Sequence, residues 1–305
     1  MRTRPVRLPR PAGAALGILL DRLVGEPPAA LHPVVHFGRV MEGVEKDLYR
    51  DGVPAGLAHT AAGVAFGIAG GALVGSTAVA TGLAVGGRAL ADAAQDVGSA
   101  LAAGDEERAR SLLPALVGRD TARLTTAEMA RATIESVAEN TVDAIVAPAL
   151  WAAVAGGPGA LGYRAVNTMD AMVGHHSDRY ERYGRASARL DDAANWVPAR
   201  CTAALVTLVR PRSARAIRGA IATQAPSHPS PNAGVAEAAF AAALGIRLGG
   251  TNRYGDRIED RPQLGHGRVA QAQDITRAVR LCRDVATALA VTLGVAGMAL
   301  RRTGR

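Results

Sequence analysis

Between Gly56 and Gly87 the chain runs for 32 residues without a charge, and His59 is its only titratable side chain. About 20 apolar residues cross a bilayer as a helix, so this stretch is long enough to span with tilt. Gly63, Gly67, Gly71 and Gly75 recur every fourth residue. Spacing of four puts them on one helix face, a small-residue stripe against which a partner helix can approach closely. Glycine is a poor helix former in water, which weighs against a soluble Gly/Ala helix. The feature therefore selects a membrane protein whose helices pack through small residues.

The rest of the chain alternates apolar and polar blocks. Ala12–Leu20 follows an arginine-rich start, with Arg2, Arg4, Arg7 and Arg10, and is followed at once by Asp21 and Arg22. It lacks a small-residue cleavage site and reads as a retained membrane-associated segment rather than a removed signal. Ala144–Tyr163 is uncharged but carries Pro148 and the breaker cluster Gly156-Gly157-Pro158. A broken or re-entrant helix fits better than a straight one, and such backbone survives at membrane depth only where protein or a polar cavity surrounds it. Trp196–Val209 is read as interrupted by Pro198 and Arg200. Val285–Leu300 is a short span flanked by arginines that can snorkel.

Asp92–Thr126 has the rhythm of surface helices, Arg210–Arg218 is a basic amphipathic piece suited to a membrane interface, and residues 251–274 read as a polar loop. No strand alternation of any length is visible. The fold class is thus all-α: a polytopic integral membrane protein with broken or re-entrant helices and polar helical loops. Residues 1–305 are taken as a single membrane-embedded unit.

Charge and cysteine content exclude some functions. The net charge of +8 is the difference between 35 basic and 27 acidic residues. Arginines in loops on one side of a membrane account for it, and attraction of anionic ligands is the sharper alternative. No basic run with interleaved aromatics appears, so no nucleic acid is expected as partner. Cys201 and Cys282 stand alone beside apolar runs and read as buried, unreactive thiols. There is no P-loop and no GxGxxG, so any nucleotide site is built otherwise.

Four blocks carry candidate chemistry. In the first, "LLDRLVGEPPAALHPVVHFGRVME", His32 and His36 are four apart, but Pro33 favours an extended residue before it, and a polar turn fits better than a two-histidine metal site. In the second, "IESVAENTVDAIVAPALW", Glu135, Glu139 and Asp143 share a helix face, with Asn140 beside them. Spacing alone leaves open a solvated helix face or a site for Mg²⁺ or a substrate ammonium, either cation relieving the like-charge repulsion. The third, residues 163–200, holds Asn167, Asp170, Arg179, Arg189, Asp191, Asp192 and Asn195, together with a His175-His176 pair. The fourth contains Ser227-His228-Pro229-Ser230-Pro231-Asn232, which cannot be helical. Ser230 or Asn232 would cap the helix starting near Gly234, and His228, Ser230 and Asn232 would offer donors to an anion.

Taken in order, "LLDRLVGEPPAALHPV", "IESVAENTVDAIVAPALW", "AVNTMDAMVGH", "RYGRASARLDDAANWVPAR" and "HPSPNAGVAEAAFAAALGIRLGG…RYG" resemble the integral-membrane adenosylcobinamide-phosphate synthases of cobalamin biosynthesis. The resemblance covers residues 13–256. Residues 257–305 add a polar loop and a C-terminal apolar helix. It implies a multi-pass ligase of the cell membrane that joins adenosylcobyric acid to (R)-1-aminopropan-2-yl phosphate, or a related amino-alcohol phosphate, using ATP and Mg²⁺. Implied partners are the corrinoid, the amino-alcohol phosphate, the lipid bilayer and other enzymes of the pathway.

On that reading Glu135, Glu139, Asp143, Asp191 and Asp192 are the catalytic acids, with Glu135 and Glu139 as Mg²⁺ ligands. Asn140, Asn167, Asp170, Arg179, Arg189, Asn195, His228, Ser230 and Asn232 contact substrate or phosphate. The pair His175-His176 departs from the expected pattern. The competing class is a small membrane transporter or scaffold without catalysis, against which stand the few spans and the lack of an inverted repeat.

Overall fold

The computed structural model describes residues 8–28, 30–175, 177–254 and 257–303, with side chains left aside at 253, 254, 257 and 258. Arg2, Arg4, Arg7, His176 and Gly255 therefore lie outside the described residues. Twelve α-helices dominate the described chain: α1 Arg10–Val24, α2 Pro33–Leu48, α3 Val53–Val74, α4 Thr77–Ala84, α5 Gly87–Ala102, α6 Glu106–Leu112, α7 Thr126–Thr141, α8 Ala147–Met169, α9 Arg185–Val209, α10 Ala214–Thr223, α11 Ala233–Leu244 and α12 Ala272–Arg302. Among the described residues three helical runs are long and apolar enough to cross a membrane: Val53–Val74, Thr126–Gly174 and Ala272–Arg302.

The chain folds into two compact units. The first comprises residues 1–86, 147–194 and 289–305, and the second 87–146 and 195–288. In the first unit α3 packs along α8, and α1 and α4 pack on each other and on α8. The glycine stripe is the reason. A Cβ at Gly67 would lie 2.6 Å from the Ala165 Cβ and from the Leu161 carbonyl, and one at Gly63 would lie 2.9 Å from the Met169 sulfur. At Gly71 it would overlap the Gly157 carbonyl. Gly75 is different. It adopts φ 66°, ψ −7° and ends α3, so the uncharged stretch folds as two helices rather than one span.

The breaker cluster acts as expected, and in a definable way. Gly156 takes φ 70°, ψ −148° and kinks α8, and Pro158 follows inside the helix. A proline removes the N–H that would bond the carbonyl four residues earlier. That carbonyl, of Val154, instead accepts from Arg10 Nη1 at 2.7 Å.

The same device corrects the reading of Trp196–Val209. Helix α9 runs unbroken through Pro198, because the freed Ala194 carbonyl accepts the Trp151 indole N–H at 3.1 Å. Nor does Arg200 interrupt it. Its guanidinium bonds the Trp196 carbonyl at 3.0 Å and lies 4.4 Å over the Trp196 ring.

In the second unit α11 packs against α7 and α10, and α5 against α6 and α7. Helix α7 starts with a reciprocal cap between Thr125 and Glu128. It passes at Val142–Val146 into a wider π-turn, which carries Asp143.

The expected polar loop after residue 250 is a second correction. β1, Ile246–Tyr254, pairs antiparallel with β2, Arg257–Leu264, while β3, Arg268–Val269, pairs parallel with the start of β1. A register shift between Leu248 and Gly250, with Gly249 and Gly250 both at positive φ, breaks the alternation that would have announced a strand.

Candidate active site

The sequence-derived candidates divide between the units. Glu135, Glu139, Asn140, Asp143, Asn195, His228, Ser230 and Asn232 belong to the second, and Asn167, Asp170, Arg179, Arg189, Asp191 and Asp192 to the first.

In the second unit the centre is Glu135 on α7, which is buried. Its Oε2 accepts from Arg119 Nη2 at 2.6 Å and its Oε1 from the Gly249 backbone N–H at 2.8 Å. Arg119 also donates to the Asn252 side-chain oxygen. Arg131, one turn before Glu135, donates to the carbonyls of Gly249 and Thr251. The bulged strand β1 is thereby tied to α7 by two guanidinium groups and one carboxylate. Each oxygen of Glu135 accepts one of these bonds, and Arg119 supplies beside it the positive charge that Mg²⁺ was expected to supply. Among the described residues no group of three or more His, Cys, Asp or Glu side chains is placed to hold a metal ion.

Glu139 is exposed, Asp143 is half-buried, and Asn195 is buried on α9. Asn140 turns back on its own helix, donating to the Ser136 carbonyl at 3.0 Å.

A second buried glutamate faces this network. Glu237 is the one charged residue of the apolar helix α11. Burial holds its carboxyl well above the usual carboxylate range, and the negative charges of Glu135 and Glu139 push the same way. Its Oε1 lies 3.8 Å from His228 Nε2. That nitrogen is 3.3 Å from Arg261 Nη1, and His228 Nδ1 is 3.1 Å from the Ser230 carbonyl. The Ser230 backbone N–H also donates to His228 Nδ1 at 3.2 Å, so the imidazole is held at Nδ1 by the Ser230 backbone and faces Arg261 and Glu237 with Nε2. Burial pushes the His228 pKa down, and the Arg261 charge adds to that.

Ser230, not Asn232, caps α11: its Oγ accepts the backbone N–H of Asn232 at 3.3 Å and of Ala233 at 3.1 Å. The Asn232 side-chain oxygen instead accepts from Arg200 at 2.9 Å. Glu237, Arg119 and Arg261 were not among the sequence candidates. A lone carboxylate in the apolar run Ala233–Leu244 was the available signal for the first, whereas Arg261 lies beyond the residues that carried the resemblance.

In the first unit the Asn167 amide lies 3.4 Å from an Asp191 carboxylate oxygen, and Arg164 lies 3.5 Å from the Asn167 carbonyl oxygen. Asp191 and Asp192 are half-buried on α9, and burial raises the Asp192 pKa. Asp170 is half-buried in a π-turn, Asp170–Gly174, and Arg189 is exposed. Arg179 pairs with Glu45 of α2 at 2.9 Å. The two histidines of the first block have separate partners: His32 Nδ1 caps α2 by accepting from Val34 N–H, and His36 Nε2 bonds the Ala30 carbonyl. They form no common site.

The sequence has well-defined relatives. A family model described as CobD/Cbib protein matches residues 14–282. A "Cobalamin biosynthesis protein CobD" of Mycobacterium tuberculosis (strain ATCC 25618 / H37Rv) is 48% identical over 295 residues, 92% of this chain and 94% of its own. Proteins of the same name from Chromobacterium violaceum and Geobacter metallireducens are 44% and 42% identical over 283 and 275 residues. These cover 87% and 83% of this chain and 90% and 86% of theirs. No solved structure matches. A match over most of the chain, with relatives of nearly equal length, places this helical protein with its three candidate membrane spans in the CobD/Cbib family of cobalamin biosynthesis.

Proposed function

We propose that the protein is an ATP-dependent amide ligase of the cell membrane. It would join a side-chain carboxylate of adenosylcobyric acid to (R)-1-aminopropan-2-yl phosphate, giving adenosylcobinamide phosphate. The observation that carries this reading is buried Glu237 and His228 with half-buried Arg261 against them, in a chain of a cobalamin-biosynthesis family.

A carboxylate and an ammonium do not form an amide in water. ATP, when bound, supplies the phosphoryl group that makes the corrin carboxylate an acyl phosphate. The amine then displaces phosphate and gives up a proton. The second unit supplies what an incoming anion needs. Glu237 kept neutral adds no repulsion and offers an O–H donor, and Arg261 and Arg119 provide positive charge. Phosphoryl transfer depends on such positioning and charge more than on covalent catalysis. Mg²⁺ accompanying ATP keeps waters and phosphate oxygens as most of its ligands, so a resident cage is not required; no step is assigned to a protein-held metal. Glu139, the exposed acid of the same unit, is proposed to take the amine's proton.

The test is a coupling assay on membranes holding the full chain, with ATP, Mg²⁺, adenosylcobyric acid and the amino-alcohol phosphate, product read by mass. ATP-dependent product is expected. Its absence beside a working positive control rules out the ligase and returns the transporter or scaffold reading. Glu139→Gln should lower turnover by about 10²–10⁴-fold while leaving membrane insertion intact. Unchanged turnover removes Glu139 from that role.

A further inference from the structure

Aromatic residues are scarce in this chain, yet three of its five tyrosines meet at one place in the first unit. The Tyr183 ring is the common neighbour: its centroid is 5.1 Å from Tyr49, 6.3 Å from Tyr180 and 5.4 Å from the His59 imidazole. Against them lies the buried carboxylate of Glu45. It accepts from Tyr180 Oη at 2.9 Å and from Arg179 Nη2 and Nε at 2.9 and 3.3 Å. All three donors fall on Oε1. Arg179 is the rim of this arrangement. Its side chain is 55% exposed against 10% for Glu45, and its guanidinium lies 4.2 Å over the Tyr49 ring.

Two polar atoms inside the cluster are buried with no hydrogen-bond partner, His59 Nδ1 and Tyr183 Oη. Both residues are fully buried. His59 Nε2 is 3.0 Å from the Met41 carbonyl, which only accepts, so the ring proton is on Nε2 and Nδ1 presents a lone pair. An orphaned buried group of this kind is unfavourable by about 1–3 kcal/mol unless something satisfies it. The two orphaned positions are Nδ1, which accepts, and Oη, which can accept or donate, and the Glu45 carboxylate beside them accepts. The walls are aromatic faces, which attract cations. A group with N–H donors and a positive charge suits the Nδ1 lone pair, the Glu45 carboxylate and the aromatic faces together, and an anion does not.

We propose that Glu45, Tyr183 and His59, walled by Tyr49 and Tyr180, seat a primary ammonium, and that Arg179 at the rim takes the anionic group of the same ligand. The ligand class is a small zwitterion carrying amine and phosphate. On binding, the Glu45–Arg179 pair exchanges partners: the carboxylate turns to the ammonium and the guanidinium to the phosphate. Naming an amino-alcohol phosphate rests on the ligase reading above, while the seat itself does not.

The experiment is isothermal titration of the full-length protein in detergent micelles with three probes: 1-aminopropan-2-yl phosphate, propan-2-yl phosphate and 1-aminopropan-2-ol. The zwitterion should bind at least tenfold more tightly than either half. Glu45→Gln should weaken the zwitterion at least tenfold and leave propan-2-yl phosphate unchanged. Tyr183→Phe keeps the ring and removes only Oη, so it carries the test if Glu45→Gln does not fold, with a threefold or greater loss expected. No binding by the unmodified chain overturns the seat. So does equal binding by it and both variants, which would leave water or nothing between the orphaned atoms. Product formation by Glu45→Gln with an unchanged KM for the amine also overturns the seat and leaves the ligase standing. Zwitterion binding that responds as expected, without ATP-dependent product from the unmodified chain, upholds the seat and overturns the ligase.

Discussion

Glu135 and Glu237 are the same residue on two packed helices, 8% and 7% exposed, and their surroundings make opposite demands on them. Glu135 receives Arg119 and a backbone N–H, so its charge is matched and it serves as a tie between α7 and β1. Glu237 has an imidazole that is itself neutral in this setting, an arginine shared with that imidazole, and two like charges nearby. Burial alone thus says little about what a carboxylate does. The donors that reach it decide whether it is tied into the structure or held neutral and available for chemistry.

The largest effect that would break this contrast is at Glu135. Glu135→Leu leaves Arg119 buried without its counter-charge and the Gly249 N–H without its acceptor. Removing one partner of a buried pair typically costs about 3–5 kcal/mol, so the thermal midpoint in detergent should fall steeply. Glu237→Gln should shift stability by less than about 1 kcal/mol at neutral pH, because it replaces one neutral group with another of the same shape. If Glu237→Gln destabilises as much as Glu135→Leu, the two glutamates are both structural ties and the contrast is false.

The pH dependence of stability sharpens the same point. The folded-state pKa of Glu237 is raised above its ordinary value of 4.5. The folded state therefore holds the proton where the unfolded chain has lost it. Stability from this group is complete below about 4.5 and declines as pH rises through the raised value. His228 works in the other direction. Its pKa lies below the ordinary 6.5, so its contribution is present above 6.5 and is lost as pH falls through the depressed value. Between the two reference values the slopes oppose, and above about 6.5 only the Glu237 slope remains. Chemical unfolding followed from pH 6.5 to 9 should show declining stability in the unmodified chain and a flatter profile in Glu237→Gln. Parallel profiles would mean that Glu237 is ionised throughout.

The parts of this arrangement that were legible in the sequence are those set by local rules. The four-residue glycine period identified the packing face of α3, and Gly156-Gly157-Pro158 located the break in α8. The motif blocks placed the family, and the family match confirms it over residues 14–282. What stayed hidden depends on partners distant in sequence. Pro198 looked like an end because nothing local shows that Trp151 satisfies the Ala194 carbonyl. The hairpin escaped because its bulge at Gly249 and Gly250 erases the alternation. Glu135 looked like a metal ligand because its spacing to Glu139 and Asp143 was visible, whereas Arg119, sixteen residues earlier, and Gly249 across the unit were not.

The smallest effect concerns the start of α11, which sets the approach of His228 to Glu237. Ser230 is the cap, and Asn232 is engaged with Arg200. Ser230→Ala should cost about 1 kcal/mol, the usual loss for a missing N-cap. Its effect on the Glu237 profile separates two ideas. The Ser230 N–H and carbonyl that meet His228 Nδ1 belong to the backbone and survive the substitution. If that backbone contact is what orients the imidazole, Ser230→Ala lowers the midpoint but leaves the pH slope above 6.5 intact. If the slope flattens as in Glu237→Gln, the hydroxyl's hold on the first turn is what keeps imidazole and carboxyl within reach of each other, and the neutral state of Glu237 depends on the cap as well as on its burial.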